Sequence, residues 1–163
     1  MVARSAHLQI RITPEDKRTL NRLARAAGQD LSSYVLSRAL PDQQLRFEEV
    51  LAALARDRDH RFALAELNDF LTALAPVELP GAVAHAEVES LSPFLRNYVA
   101  AMVEEAAHAS DVPPPAWTRQ IAPLEEPHFV TPLMGLRLHL LKSSPVPFKR
   151  RNVFIDASLG ARV

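Results

Sequence analysis

The segment His7-Leu8-Gln9-Ile10-Arg11-Ile12-Thr13 alternates polar and apolar side chains at every position. A strand sends successive side chains to opposite faces. Leu8, Ile10 and Ile12 therefore share one face, and His7, Gln9 and Arg11 share the other. The polar face carries the chemistry of base-edge recognition. A glutamine amide pairs with adenine, and an arginine guanidinium with guanine, through two hydrogen bonds each. His7 lies nearer the strand end and is less well placed for a base. The plain alternative is a solvated sheet face, because a ribbon covered on one side by helices needs something polar on the other.

A second constellation lies near the other end. In PVPFKRRNVFID the cations Lys149, Arg150 and Arg151 are followed by Asn152 and set among Phe148, Phe154, Ile155 and Asp156. Flanking prolines lower the entropic cost of docking an extended strip. Exposed aromatics would be costly without a use, although packing on the rest of the chain is an adequate alternative. A solvated turn or a second DNA contact also fits the basic cluster.

Other chemistry is poorly supplied. With no cysteine there is no disulfide, thiol nucleophile or thiolate zinc site. The six histidines, His7, His60, His85, His108, His128 and His139, include no pair spaced three or four apart. Asp57, Asp59, Glu66 and Asp69 read as a solvated acidic face, and Glu104-Glu105 with His108 as a surface pair. There is neither a Gly-rich phosphate loop nor a G-x-S-x-G elbow. The expectation is a protein that is not an enzyme, with no catalytic residues, no cofactor and no metal.

The elements around these residues can be placed. Thr13 reads as a helix N-cap, with Pro14 at the first helical position and Glu15 and Asp16 in the first turn. The helix reaches about Ala27, with Leu20, Leu23, Ala24 and Ala27 on one stripe. Gly28 suits a left-handed terminus. Asp30 caps a second helix from Leu31 to about Leu40, which buries Leu31, Tyr34, Val35 and either Leu36 or Ala39, and Pro41 stops it. Forty residues bury little surface, and a lone strand leaves its backbone unpaired. Two chains pairing their strands antiparallel, with four helices closing over the apolar face, solve both problems. Further helices are expected from about Gln43, from Ala63 to Ala75, and after Ser92-Pro93 to about Ala109. Pro76 and Pro80-Gly81 read as breaks, and Pro113-Pro114-Pro115 as a stiff extended spacer. Beyond it, Leu136–Leu141 reads as a short helix and Asn152–Ile155 as a short strand or extended strip.

The 163 residues carry no net charge, but the charge is unevenly spread. Residues 1–40 hold seven basic and three acidic residues, 41–111 hold five and thirteen, and 112–163 hold seven and three. This suggests a nucleic-acid-facing head, an acidic middle and a basic tail. No apolar run is long enough to span a membrane. The start, MVARSAHLQI, lacks the apolar core of a secretory signal, so a cytoplasmic location is expected.

Strand, capped helix, Gly turn and capped helix, carried by LQIRITPEDKRTLNRLARAAGQDLSSYVLSRAL, resemble the ribbon-helix-helix family of repressors and antitoxins. The stretch from Thr13 looks particularly like antitoxins of toxin–antitoxin pairs. The fold implied is mainly α. A β-α-α module with its strand paired across a dimer occupies 1–42, a helical domain 43–111, and a proline-rich, largely irregular tail 112–163. A two-stranded ribbon fits the DNA major groove. Gln9 and Arg11, with His7, would then face bases. Leu31, Ser32 and Ser33 at the second helix start would face a phosphate, and Arg4, Lys17 and Arg18 would add phosphate contacts. Asp30 departs mildly from this pattern, since its charge would lie near that phosphate.

The tail, with VPPPAW and LRLHLL upstream, resembles a region of bacterial regulators encoded beside nucleotidyltransferase-like toxins. That resemblance implies a toxin-docking segment at Phe148, Lys149, Arg150, Arg151, Asn152, Phe154 and Asp156. The implied partners are operator DNA, a cognate toxin and a second copy of the chain, as a dimer or higher even oligomer, and no membrane. The implied function is that of an antitoxin that represses its own operator and neutralises its toxin by contact. A stand-alone regulator with a ligand-sensing or oligomerising C-terminal domain is the alternative, and it would show a pocket and no toxin partner. An enzyme carrying a DNA-binding domain would show titratable groups gathered in a cleft. If Arg11 reads a base, Arg11→Ala costs about 1–3 kcal/mol on the specific operator and much less on random DNA. Gel-shift titrations on both duplexes measure this, and equal losses would make Arg11 a phosphate contact only.

Overall fold

The computed structural model describes residues 9–26, 28, 30–32, 34–35, 42–56 and 59–156. It is mainly helical and divides into two compact units, Met1–Leu40 and Pro41–Val163.

In the first unit, Gln9–Thr13 lead without regular structure into α1, Pro14–Ala26. The start of α1 is a reciprocal cap. The Thr13 hydroxyl accepts from the Asp16 backbone N–H at 3.1 Å, and the Asp16 carboxylate accepts from the Thr13 hydroxyl at 2.6 Å. An aspartate thus does the work usual for a glutamate at the third helical position. Proline at the first position costs nothing, because that amide has no helical partner. Gly28 follows the helix with φ +67°, a backbone region that strongly favours glycine. Its N–H donates to Arg25 O at 3.1 Å. Leu31, Ser32, Tyr34 and Val35 are helical, and Tyr34 N–H closes a turn on Asp30 O at 2.9 Å. Ala24 and Tyr34 are buried. Leu8, Ala27, Leu36, Ala39, Leu40 and Pro41, which the sequence assigned to these elements, lie outside the described residues.

The second unit opens with an antiparallel-style pair of amphipathic helices, α2 (Asp42–Arg56) and α3 (Arg61–Ala73). Phe47, Val50, Leu51 and Leu54 of α2 meet Ala63, Leu67, Phe70 and Leu71 of α3, with Phe47 stacked on Phe70 at 6.0 Å between centroids. A one-turn helix α4, Leu79–Ala82, follows. It contains Pro80-Gly81, which the sequence marks as a break. Proline at the second helical position needs no amide partner, so a single turn survives there.

The long helix α5, Pro93–Ala109, lies at the centre of this unit. Ser92 caps it, its hydroxyl accepting from Leu95 N–H at 3.3 Å. Val112 N–H donates to Ala107 O at 2.9 Å around Asp111, which has φ +54°. That six-to-one bond around a left-handed residue is a Schellman-type stop. One side of α5, Leu95, Val99, Val103 and Ala107, closes the core made by α2, α3 and α4. The other side, with Ala101, receives Phe148, Val153 and Ile155 from the C-terminal segment. Burial on two sides explains why this helix is so apolar.

The proline-rich segment after Val112 holds only short elements. A 3-10 turn spans Ala116–Gln120, and a second covers Met134–Leu136 and runs into α6, Arg137–Ser143. A single turn α7 covers Val146–Lys149. Strands β1, His128–Phe129, and β2, Val153–Phe154, pair in parallel with His128 opposite Val153. Pro115, with φ −63° and ψ 150°, is extended as the triple-proline spacer requires. Trp117 anchors the segment by packing on Phe47 and donating from Nε1 to Val83 O at 2.9 Å.

The polar centre of this packing is Arg151, only 5% exposed. Its Nη2 donates to Glu104 Oε1 at 2.6 Å and to Thr118 O at 2.7 Å, and its Nη1 to Asn97 Oδ1 at 3.3 Å. Asn97 Nδ2 in turn donates to Pro93 O and Ala122 O. One guanidinium thus ties α5, the first 3-10 turn and the C-terminal segment together. Breaking a buried pair leaves an uncompensated charge, at about 3–5 kcal/mol. Urea unfolding of Glu104→Ala should show a loss of that size. An apolar pair, Glu104→Leu with Arg151→Met, should recover most of it. A loss below about 1 kcal/mol in the single variant would mean that the pair is solvated.

Candidate functional site

In the single chain Ile10 is 61% and Ile12 45% exposed, and Leu23 of α1 is exposed as well. Gln9 and Arg11 alternate with those isoleucines and are also exposed. The strand expected here is not formed within the single chain; exposed isoleucines simply alternate in sequence with exposed polar side chains. Lys17 and Arg18, in the first turns of α1, are exposed, and Arg18 Nε donates to Pro14 O at 3.3 Å. Leu31 is half-buried and Ser32 exposed. Arg4, His7 and Ser33 lie outside the described residues.

The C-terminal candidates are split by the fold. Phe148 and Phe154 are buried, Phe148 edge-on to Tyr98 at 5.3 Å and Phe154 stacked on Phe129 at 4.9 Å. Burial in this aromatic group raises the Tyr98 pKa above its ordinary value. Arg151 is buried against Glu104, so its charge is matched within the chain and not offered outward. Asn152 adopts φ +56° and donates from Nδ2 to Leu124 O at 2.6 Å. Lys149 is half-buried and donates to Lys142 O at 2.8 Å, while Arg150 is exposed. Asp156 Oδ2 lies 3.6 Å from His139 Nε2. Packing on the body, the alternative weighed for these aromatics, is what the single chain displays.

Sequence reasoning passed over two features. It assigned Glu104 to the surface, although Asn97, Ala101 and Glu104 recur at spacings of four and three on α5. Polar residues on such a stripe in an otherwise apolar helix signal an internal partner. It also read LRLHLL as a short helix and as part of the tail's resemblance, but not for its surplus of leucines. Four leucines around a seven-residue helix cannot all face one core. Leu140 is buried, while Leu136, Leu138 and Leu141 are exposed.

Among the described residues no group of histidine and carboxylate side chains is placed to hold a metal ion, and no helix is long and apolar enough to cross a membrane. A cleft of about 330 Å³ lies between α2 and α3, lined by Asp42, Leu45, Arg46, Glu49, Val50 and Glu66. Three carboxylates against one guanidinium give it a polar, net acidic lining, unlike the mostly apolar pockets that hold small molecules. Near the start of α3, the Arg61 guanidinium on Asp59 holds that carboxyl at a pKa of about 2, on open surface.

Neither a curated protein nor a solved structure matches the chain. Residues 7–74, from the alternating segment through α3, match the family model described as Antitoxin TacA 1-like, so the first part of this chain is antitoxin-like.

Proposed function

We propose that this protein is the antitoxin of a toxin–antitoxin pair. Its N-terminal unit binds operator DNA as a dimer and represses transcription, and its C-terminal region neutralises a cognate toxin by contact. The observation that carries this reading is the exposure of Ile10 and Ile12 beside a capped helix, within the span that resembles an antitoxin family.

The mechanism follows from pairing. Two copies of Gln9–Thr13, set antiparallel, satisfy each other's backbone groups and turn Ile10 and Ile12 into a shared core. Burial of two isoleucine side chains per copy supplies roughly 1.5–3 kcal/mol each. The opposite face then presents Gln9 and Arg11 twice, related by a two-fold axis that matches a palindromic operator. Lys17 and Arg18 meet phosphates and supply the salt-dependent part of affinity. The helix start at Leu31-Ser32 directs backbone dipoles toward a phosphate. A toxin of the nucleotidyltransferase type is what the resemblance of the tail adds, and that part rests on the sequence alone.

Ile10→Asp places a charge in the shared core, so the dimer should fail and operator affinity with it. Sedimentation at micromolar concentration reads the first effect and a gel shift the second. A well-folded monomer of the unsubstituted protein at that concentration would sink the dimeric mechanism.

A further inference from the structure

The stretch from Leu133 to Val146 leaves an unusual amount of apolar surface uncovered. Met134 is 68% and Leu138 64% exposed, and Leu133, Leu136, Leu141 and Val146 are exposed with them. Leu138 and Leu141 lie three apart on α6, turned away from buried Leu140, and Met134 precedes them in the 3-10 turn that runs into the helix. The strip is held in place. The Ser144 hydroxyl accepts from Ile155 N–H at 2.9 Å, Ser144 N–H donates to Leu140 O at 3.0 Å, and the Arg137 guanidinium lies over the Phe129 ring at 4.9 Å. So many exposed apolar side chains within fourteen residues of a fixed scaffold mark an interaction surface.

The segment that carries the strip is cationic. Between Val130 and Asp156 the sequence holds Arg137, Lys142, Lys149, Arg150 and Arg151 against the single carboxylate Asp156, which lies 3.6 Å from His139. Arg151 is matched internally by Glu104, which leaves four cations in this segment, with the Lys149 ammonium donating to Lys142 O at 2.8 Å. Two copies meeting face to face through it would bring those cations together. Phosphate would satisfy the cations but leave the leucines bare.

Resting on the antitoxin reading, we infer that this strip is the toxin-docking surface, and that its occupant is an apolar groove on the toxin bordered by carboxylates. Met134, Leu138 and Leu141 fill the groove, as apolar anchors do when a short helix lies in one. Lys142 and Arg150 meet the acidic border and steer the approach. The docking surface therefore precedes the Phe148–Asp156 segment, to which the Ser144 hydroxyl ties it through Ile155 N–H.

The test uses the full chain and the purified product of the adjacent gene. Titration calorimetry should show a complex with the unsubstituted chain, weakened about 30-fold or more in Met134→Glu/Leu138→Glu, with operator binding and thermal melting retained. Lys142→Glu/Arg150→Glu should slow association several-fold at low salt, an effect that fades as salt is raised. Unchanged toxin affinity in the folded Met134→Glu/Leu138→Glu protein overturns the docking site and leaves the antitoxin reading standing. No complex with the unsubstituted chain overturns both. If the paired glutamates instead lower the oligomeric state without toxin, or abolish binding to phosphatidylglycerol vesicles while toxin affinity holds, the strip belongs to a second copy or to a membrane, and the inference falls.

Discussion

Forty residues bury little surface for a core of their own, and the proposed mode of action depends on that constraint. The single chain buries Ala24 and Tyr34 but leaves Ile10, Ile12 and Leu23 in water. Among the described residues no strand lies against Gln9–Thr13. Apolar burial and backbone pairing are both obligations of a folded segment, and the second copy proposed above would meet both at once. In that dimer Gln9 and Arg11 would be duplicated on the outer face, so that dimerisation and operator recognition would be one physical process. A stretch too short to fold alone would thereby acquire two-fold symmetry suited to duplex DNA.

The second unit solves a different problem, how to hold a proline-rich segment that forms almost no regular structure of its own. Two short parallel strands and two short helices contribute little. What fixes the segment is side-chain chemistry: Phe148, Val153 and Ile155 against α5, Trp117 on Phe47, and the Arg151 guanidinium shared among Glu104, Asn97 and the Thr118 carbonyl. The acidic middle and the basic tail of the sequence are thus partly matched to each other. Glu104 belongs to the first and Arg151 to the second.

Much of the helical frame was legible because its signals are local. Thr13-Pro14 with Asp16, Gly28 and Ser92-Pro93 each mark a helix boundary by chemistry that acts within four residues. Apolar periodicity placed α2, α3 and α5 within a few residues of their ends. The tail was harder because its contacts are distant in sequence. Arg151 reaches a residue 47 positions away, and Trp117 one 34 positions away. A run such as FKRRN therefore reads as three surface cations until the fold withdraws one of them. Pro80-Gly81 misled in the other direction, since a proline that ends long helices can still begin a single turn.

The claim that a second chain completes the alternating segment has a direct readout in backbone hydrogen exchange of the intact protein without DNA. In a two-stranded antiparallel ribbon alternate amides face the partner and the others face water. Slow exchange is expected at every second amide between Gln9 and Thr13, lost on dilution below the concentration at which the dimer dissociates. Uniformly fast exchange across these residues, at concentrations where the protein binds its operator, would contradict it.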